Sequence, residues 1–339
     1  MRKSFLLLAG AAAVLVSCSK TETVDKASTN KIGFTGAYIG NTVESRAVTE
    51  NDQSNLSKFQ VFGQYAKEET TVQIFNNVPV TKGEDGMWTY SGGDRVWLKD
   101  KSYVFAAYAP AKALSSPDVT NNGYLNIGSY TSDANHQYDL IYATQTAQGK
   151  ETGNNTPVQF TFKHLLSWVR LSLVNSFSDE YEVTVSNISV SGILPTNTFT
   201  TSEEVTGTDK NGGYWNEATG ETRAFNFATS DETIDAMNPK TYDMVVVPQT
   251  IGPVTVTFNV TVKEISTRQI LVDNKSMTAT LPTTNGNPSA WDMGNRYNYK
   301  ATIDYTSVKL DVIEFELSEE GVTSWTNSGD IILDAQFSE

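Results

Sequence analysis

Apolar residues in this chain recur at every second position. Val254, Val256, Phe258, Val260 and Val262 alternate with polar residues, the period of a strand with one buried face. Tyr297, Tyr299, Ala301 and Ile303 repeat the pattern. Phe59, Val61 and Gly63 alternate with Gln60, Phe62 and Gln64. Near the start, Ile32 and Phe34 alternate with Gly33 and Thr35, and the pattern runs on to Tyr38 and Ile39. Each predicts a strand. Val72, Ile74 and Val78 straddle an expected turn at Asn76-Asn77, Met87 to Tyr90 lies between Gly86 and Gly92-Gly93, and Tyr103 to Tyr108 stops at Pro110.

Between Ala111 and Asn135 the pattern fades, which predicts loop with one short strand around Tyr124 to Ile127. A second series begins with a long apolar segment through Phe160, Phe162, Leu165, Trp168, Val169, Leu171 and Leu173. Tyr181 to Val185, Ile188 to Val190 and Met244 to Val247 follow. Val308 to Leu317 reads as one extended segment. After an Asn327-Ser328-Gly329-Asp330 turn comes a last strand. It has Ile331, Leu333, Ala335 and Phe337 on one face and Ile332, Asp334, Gln336 and Ser338 on the other. No window sustains a 3.6-residue period. β-Branched and aromatic runs punctuated by Gly, Asn, Asp or Pro roughly every eight to twelve residues predict β-sandwiches. The expectation is mainly β, in two sandwiches over 47–165 and 166–306, with C-terminal strands over 307–339. That last strand completes its own sandwich or a neighbour's.

The N-terminus follows different rules. Met1-Arg2-Lys3 precedes an apolar run from Phe5 to Val16, then Leu15-Val16-Ser17-Cys18. A basic start, a short apolar segment and small residues at a cut site make an export signal over 1–17. The run is too short for a membrane span, which needs roughly 20 residues. The tetrapeptide resembles a bacterial lipobox, in which the bond between Ser17 and Cys18 is cut and Cys18 is acylated; the alternative is an ordinary signal with an incidental cysteine. Residues 18–46 then form a polar linker carrying the first strand, with Arg46-Ala47 in a polar stretch where proteolysis concentrates.

Composition narrows the function. Removing residues 1–17 leaves about 320 residues, beyond the ~250–300 at which single cores divide. Cys18 is the one cysteine, so once it is acylated no disulfide or thiolate chemistry remains. The net charge is −14, and −16 without Arg2 and Lys3, which disfavours nucleic acid and anionic lipid as partners. His136 and His164 have no cysteine partner, and no His-Glu-x-x-His, Gly-x-Ser-x-Gly or phosphate-loop motif occurs. Ser17-x-x-Lys20 straddles the signal cut. Glu84, Asp85 and Asp292 sit in glycine-flanked turns where carboxylates are common. His164 reads as a satisfied structural histidine. The expectation is no enzyme, no metal and no cofactor. The 6 Trp and 15 Tyr fall mostly in strand patterns and read as core rather than as sugar-stacking platforms.

Several segments together resemble the fimbrillin family of Bacteroidales, the FimA- and Mfa-like lipoprotein pilins. Leu56 to Gly63 is similar to that family's first core strand. Trp88-Thr89-Tyr90 and Tyr103 to Pro110 are similar to its Trp-x-Tyr and Phe-x-Ala-Tyr-x-Pro segments. Asp139 to Ala143 followed by Phe160 to Ser167 is similar to the passage into its second domain. Val247-Pro248-Gln249 and Trp291-x-x-Gly294-x-x-Tyr297-x-Tyr299 complete the series. The resemblance implies two tandem transthyretin-like β-sandwich domains with a removable first strand. It also implies a subunit of an adhesive surface fimbria, exported as a lipoprotein to the outer membrane by the lipoprotein export machinery. An arginine-specific protease would cut between Arg46 and Ala47, and a strand from another fimbrial subunit would fill the emptied groove. Ile331, Leu333, Ala335 and Phe337 are the candidate donor positions. The alternatives are a non-polymerising anchor or tip subunit, and a glycan-binding surface lipoprotein.

Overall fold

The computed structural model describes residues 30–39, 56–201, 213–227, 230–235 and 239–325. The first half supplies strands β1 (Phe34–Ile39), β2 (Lys58–Lys67), β3 (Thr70–Lys82), β4 (Trp88–Tyr90) and β5 (Ser102–Ala109). Short strands β6 (Asp118–Val119), β7 (Leu125–Asn126) and β8 (Gly128–Thr131) follow, then β9 (Ile141–Gln148) and β10 (Val158–His164). Seven of these close into a barrel in the order β1-β10-β9-β5-β2-β3-β4. The interior is aromatic and includes Phe34, Phe59, Phe75, Trp97, Phe105, Phe160 and Phe162. Two features differ from the pattern reading. Asn76-Asn77 is not a turn: β3 runs straight through it, with Asn77 at φ 51° where the register against β2 shifts. The bulge absorbs what a turn would have done. Gly63 sits at that shift because a Cβ there would lie 2.7 Å from the Phe105 ring. The stretch after Ala111 holds three short strands rather than one; β6 and β7 form a hairpin, and β8 leaves to join a separate sheet.

The long apolar segment is two strands. Its ladder ends at His164, Leu165-Leu166 cross over, and β11 (Ser167–Asn175) starts a new sheet. Then come β12 (Tyr181–Ile193), β13 (Thr196–Thr201), β14 (Gly213–Trp215), β15 (Arg223–Asn226), β16 (Glu232–Thr233), β17 (Lys240–Val246) and β18 (Gln249–Thr250). The series ends with β19 (Thr255–Glu264), β20 (Ile270–Thr280), β21 (Ala290–Trp291), β22 (Asn295–Ile303), helix α1 (Tyr305–Leu310) and β23 (Phe315–Ser324). Sheet β17-β11-β22-β23 shares one core with sheet β15-β12-β19-β20. Val256, Phe258, Val260 and Val262 of β19 point into it as their alternation demands. Val308 to Leu317 is not a single extended segment. Asp304 and Ser307 form a reciprocal capping box that starts α1, and Asp311 ends it at φ 57°. Local side-chain bonds to the first-turn amides outweigh the β-branched Val308 and Thr306 there.

A third core joins the two bodies. Phe62, Ala106, Tyr108 and Tyr142 on the barrel's outer wall meet Leu165, Leu166, Trp168, Val245, Val247 and Trp325 of the second half. Phe199 and Tyr130, on sheet β14-β13-β8, belong to the same core. β2 and β5 are therefore buried on both faces, one inside the barrel and the other under this joint, where β2 also carries Gln60 and Gln64.

Candidate functional site

Ser17, Cys18, Arg46, Ala47, Ile331, Leu333, Ala335 and Phe337 all lie outside the described residues. What the structure does describe is the seat of the first strand. β1 runs parallel to β10, pairing Phe34 with Val158 and Ile39 with Phe162. It meets β4 antiparallel at Phe34 and Trp88. It is thus the strand that closes the barrel between β4 and β10.

The approach to β1 is held from both sides. Ile32 N–H donates to Arg95 O at 2.7 Å, Trp97 N–H to Asn30 O at 2.9 Å, and Val158 N–H to Gly33 O at 2.8 Å. Side chains add to the backbone ladder. Tyr90 Oη donates to Ile32 O at 2.8 Å, Asn30 Nδ2 to Trp97 O at 2.8 Å, and Asn155 Nδ2 to Asn30 Oδ1 at 2.9 Å. Lys31 lies 2.6 Å from Asp94 and over the Tyr90 ring. The hydrogen bond to Asp94 holds the Lys31 ammonium above its ordinary pKa, and burial raises the Tyr90 phenol. Ile32 and Phe34 are buried. The Phe34 ring touches those of Phe59, Phe75, Tyr90, Phe105 and Phe160 at 5.4–6.4 Å between centroids. Burying such a ring stabilises by roughly 1.5–3 kcal/mol, and the edge-to-face pairs add to that.

Taken out, β1 would leave a groove walled by these rings and flanked by the free edges of β4 and β10. An extended segment with apolar residues at alternate positions fits that shape, through main-chain bonds at the edges and side chains in the pocket. The alternation of Ile32 and Phe34 announced a strand, but nothing local announced its cage. Trp88 and Tyr90 were visible as a motif, whereas their contact with the first strand was not.

A second cluster lies at the joint. His164 and Asp139 are both buried, with Nδ1 2.7 Å from Asp139 Oδ1. The Trp325 ring stacks on His164 at 4.1 Å and 11° and meets Trp168 edge-on at 5.2 Å. The Trp168 indole donates to Asp243 at 2.8 Å, which also receives the Arg170 guanidinium through two bonds. His164 was expected to be a satisfied histidine, but among the described residues only its Nδ1 is bonded; its buried Nε2 has no hydrogen-bond partner. His136 instead pairs with Asp133 at 2.9 Å. Glu84 and Asp85 are exposed, and Asp85 Oδ1 accepts from Met87 N–H as a turn residue does. Asp292 O accepts from Ser167 Oγ. Among the described residues no group of three His, Cys, Asp or Glu could hold a metal ion, and no helix is long and apolar enough to cross a membrane.

Comparison with known proteins adds the family. Solved structures resemble this one over most of its length. A candidate cell adhesion protein from Bacteroides ovatus is 16% identical with a TM-score of 0.53, the match covering 88% of this chain and 98% of that one. Another from Bacteroides uniformis is 19% identical with a TM-score of 0.48, over 80% and 92%. The fimbrial anchor protein Mfa2 from Porphyromonas gingivalis is 9% identical with a TM-score of 0.31, over 86% and 97%. At 16% identity the Bacteroides ovatus likeness is one of fold. A search of curated proteins finds no match. The profile of the fimbrillin-like family matches residues 45–318, which is most of the barrel, the joint and the second sandwich, and the chain therefore belongs to the fimbrillin-like family.

Proposed function

We propose that this protein is a structural subunit of an adhesive surface fimbria, exported as a lipoprotein acylated at Cys18 and assembled by strand exchange. Proteolysis between Arg46 and Ala47 would release β1, and the tail strand through Ile331, Leu333, Ala335 and Phe337 of another subunit would take its place. The observation that carries this reading is the position of β1. It is the barrel-closing strand, it holds Phe34 in a cage of five rings, and it lies N-terminal to the expected cut. Family membership supports the coarser part, a fimbrial component at the cell surface. A sandwich or barrel that lacks one strand exposes unpaired backbone edges, which drives association. Keeping β1 in place until cleavage would hold the subunit monomeric during export.

The partners are then other fimbrial subunits, the export machinery, an arginine-specific protease and, while the lipid remains, the outer membrane. Four of the six tryptophans are buried and two half-buried, while Tyr214 and Tyr305 are exposed, so the tryptophans lend no support to the glycan-binding alternative. The test is the N-terminus of the protein on cells, with and without Arg46→Ala. Ala47 at the N-terminus of wild-type fibres, and lipidated monomers in the variant, is the expected result. Normal fibres from Arg46→Ala would overturn the reading, and so would a cell-surface polymer that begins at acylated Cys18.

A further inference from the structure

β10 has an unusual dependence on β1. Along one edge it pairs with β1 from Val158 to Phe162. Along the other it pairs with β9 at two positions alone, Lys163 with Tyr142 and His164 with Ile141. Towards Val158 the two strands splay, and between them lies a polar groove lined by Gln145, Gln148, Gln159 and Thr161. Without β1, the main-chain ladder of β10 would be reduced to its last two residues, with Val158, Phe160 and Phe162 still packed in the barrel core. The last of these, His164, is the residue on which Trp325 stacks. Trp325 is fully buried, its main-chain N–H donates to Gly294 O at 2.8 Å, and it directly follows β23.

We propose that the Trp325–His164 stack couples the seat of β1 to the end of β23, so that loosening β1 loosens residues 322–325. The physical path is short and contiguous: β1, its ladder partner β10, the imidazole at the end of β10, and the indole stacked on it. Asp139 fixes the imidazole from the barrel side, while on the sandwich side Trp168 meets the indole edge-on and Gly294 O accepts from the Trp325 main-chain N–H. With β1 seated, the two halves of this clamp are aligned and the end of β23 is pinned. With β1 unseated, β10 loses most of its main-chain ladder and opens more often. β1 and the end of β23 would then loosen together, not independently. This regulation gains its biological meaning from the strand-exchange reading above, but the coupling itself is a property of the monomer.

The test is hydrogen exchange on the full monomeric chain at neutral pH, with no cleavage and no polymer required. Phe34→Ala unseats β1 without cutting it. The expected result is amide exchange in β10 and at 322–325 that rises about tenfold more than at Val256 and Val260 of β19, which report the global opening that Phe34→Ala also accelerates. In Trp325→Leu the end of β23 should already exchange faster, and adding Phe34→Ala should change it no further, the non-additivity that marks direct coupling. His164→Gln provides the same cycle from the other side of the stack should Trp325→Leu fail to fold. The coupling is overturned if Phe34→Ala accelerates β10 while 322–325 keeps its wild-type rate, or if the effects simply add. Failure to polymerise would sink the functional reading and leave this result standing, and the reverse also holds.

Discussion

Phe34 is the residue on which the candidate groove turns. Its five ring neighbours come from β2, β3, β4, β5 and β10, so one side chain touches most of the barrel wall. Phe34→Ala should therefore lower stability by about 3–5 kcal/mol, the usual cost of emptying an aromatic site in a core. A urea midpoint that barely moves would show that the cage collapses without cost. Asp133 makes a separate prediction. Burial alone would raise its pKa, but hydrogen bonds from His136 and Asn135 and the charge of nearby Arg223 outweigh that and hold it below the ordinary carboxylate value. A depressed folded pKa means the unfolded chain takes up the proton first. The contribution is thus complete above the unfolded pKa of about 3.9 and is lost as pH falls through the folded value. Asp133→Asn should cost about 1–3 kcal/mol at pH 7, and the difference from wild type should shrink below about pH 4. A difference that stays constant between pH 7 and pH 2 would exclude this origin.

At the scale of elements, the strand-exchange proposal rests on β1 and the tail. β1 is bounded by chain that carries the expected cut, and its ladder is divided between a long parallel partner and a single pair with β4. The tail alternates apolar and polar residues from Leu333 to Ser338, as a strand seeking an apolar groove does. Deleting Ile331 to Glu339 should leave the monomer folded and abolish polymer growth, read by circular dichroism and by size-exclusion of protease-treated protein. Unaffected polymers would remove the tail from the donor role. α1 illustrates how an element can hide: six residues are too few to establish a period, and only the Asp304–Ser307 box marks its start.

At the scale of the whole molecule, the joint matters most. The outer wall of the barrel and the outer face of sheet β17-β11-β22-β23 share one continuous core, with Trp168 and Trp325 at its centre. Two bodies joined through buried aromatics gain stability from each other, so barrel and second sandwich should unfold in one transition. Far-ultraviolet and near-ultraviolet circular dichroism should give coincident urea midpoints; two separated midpoints would show a weak joint.

The amino-acid sequence by itself determined that this chain is mainly β and where most of its long strands lie. β19 and β22 were legible outright because period-two alternation is a local property of a half-buried strand. The same locality explains the misreadings. Asn76-Asn77 looks like a turn whether it ends a strand or bulges one, and Val308 to Leu317 looks extended because the helix within it is too short to show its own period. For the candidate site, Ile32 and Phe34 read as a strand, and the ring cage around them did not. Tertiary structure alone decided that β1 closes the barrel beside β10, that Tyr90 reaches Ile32 O, and that Trp325 sits on His164 against Asp139. Those pairings join residues far apart in the chain. Which apolar face meets which is set by packing the whole core at once, and no window of sequence contains that information.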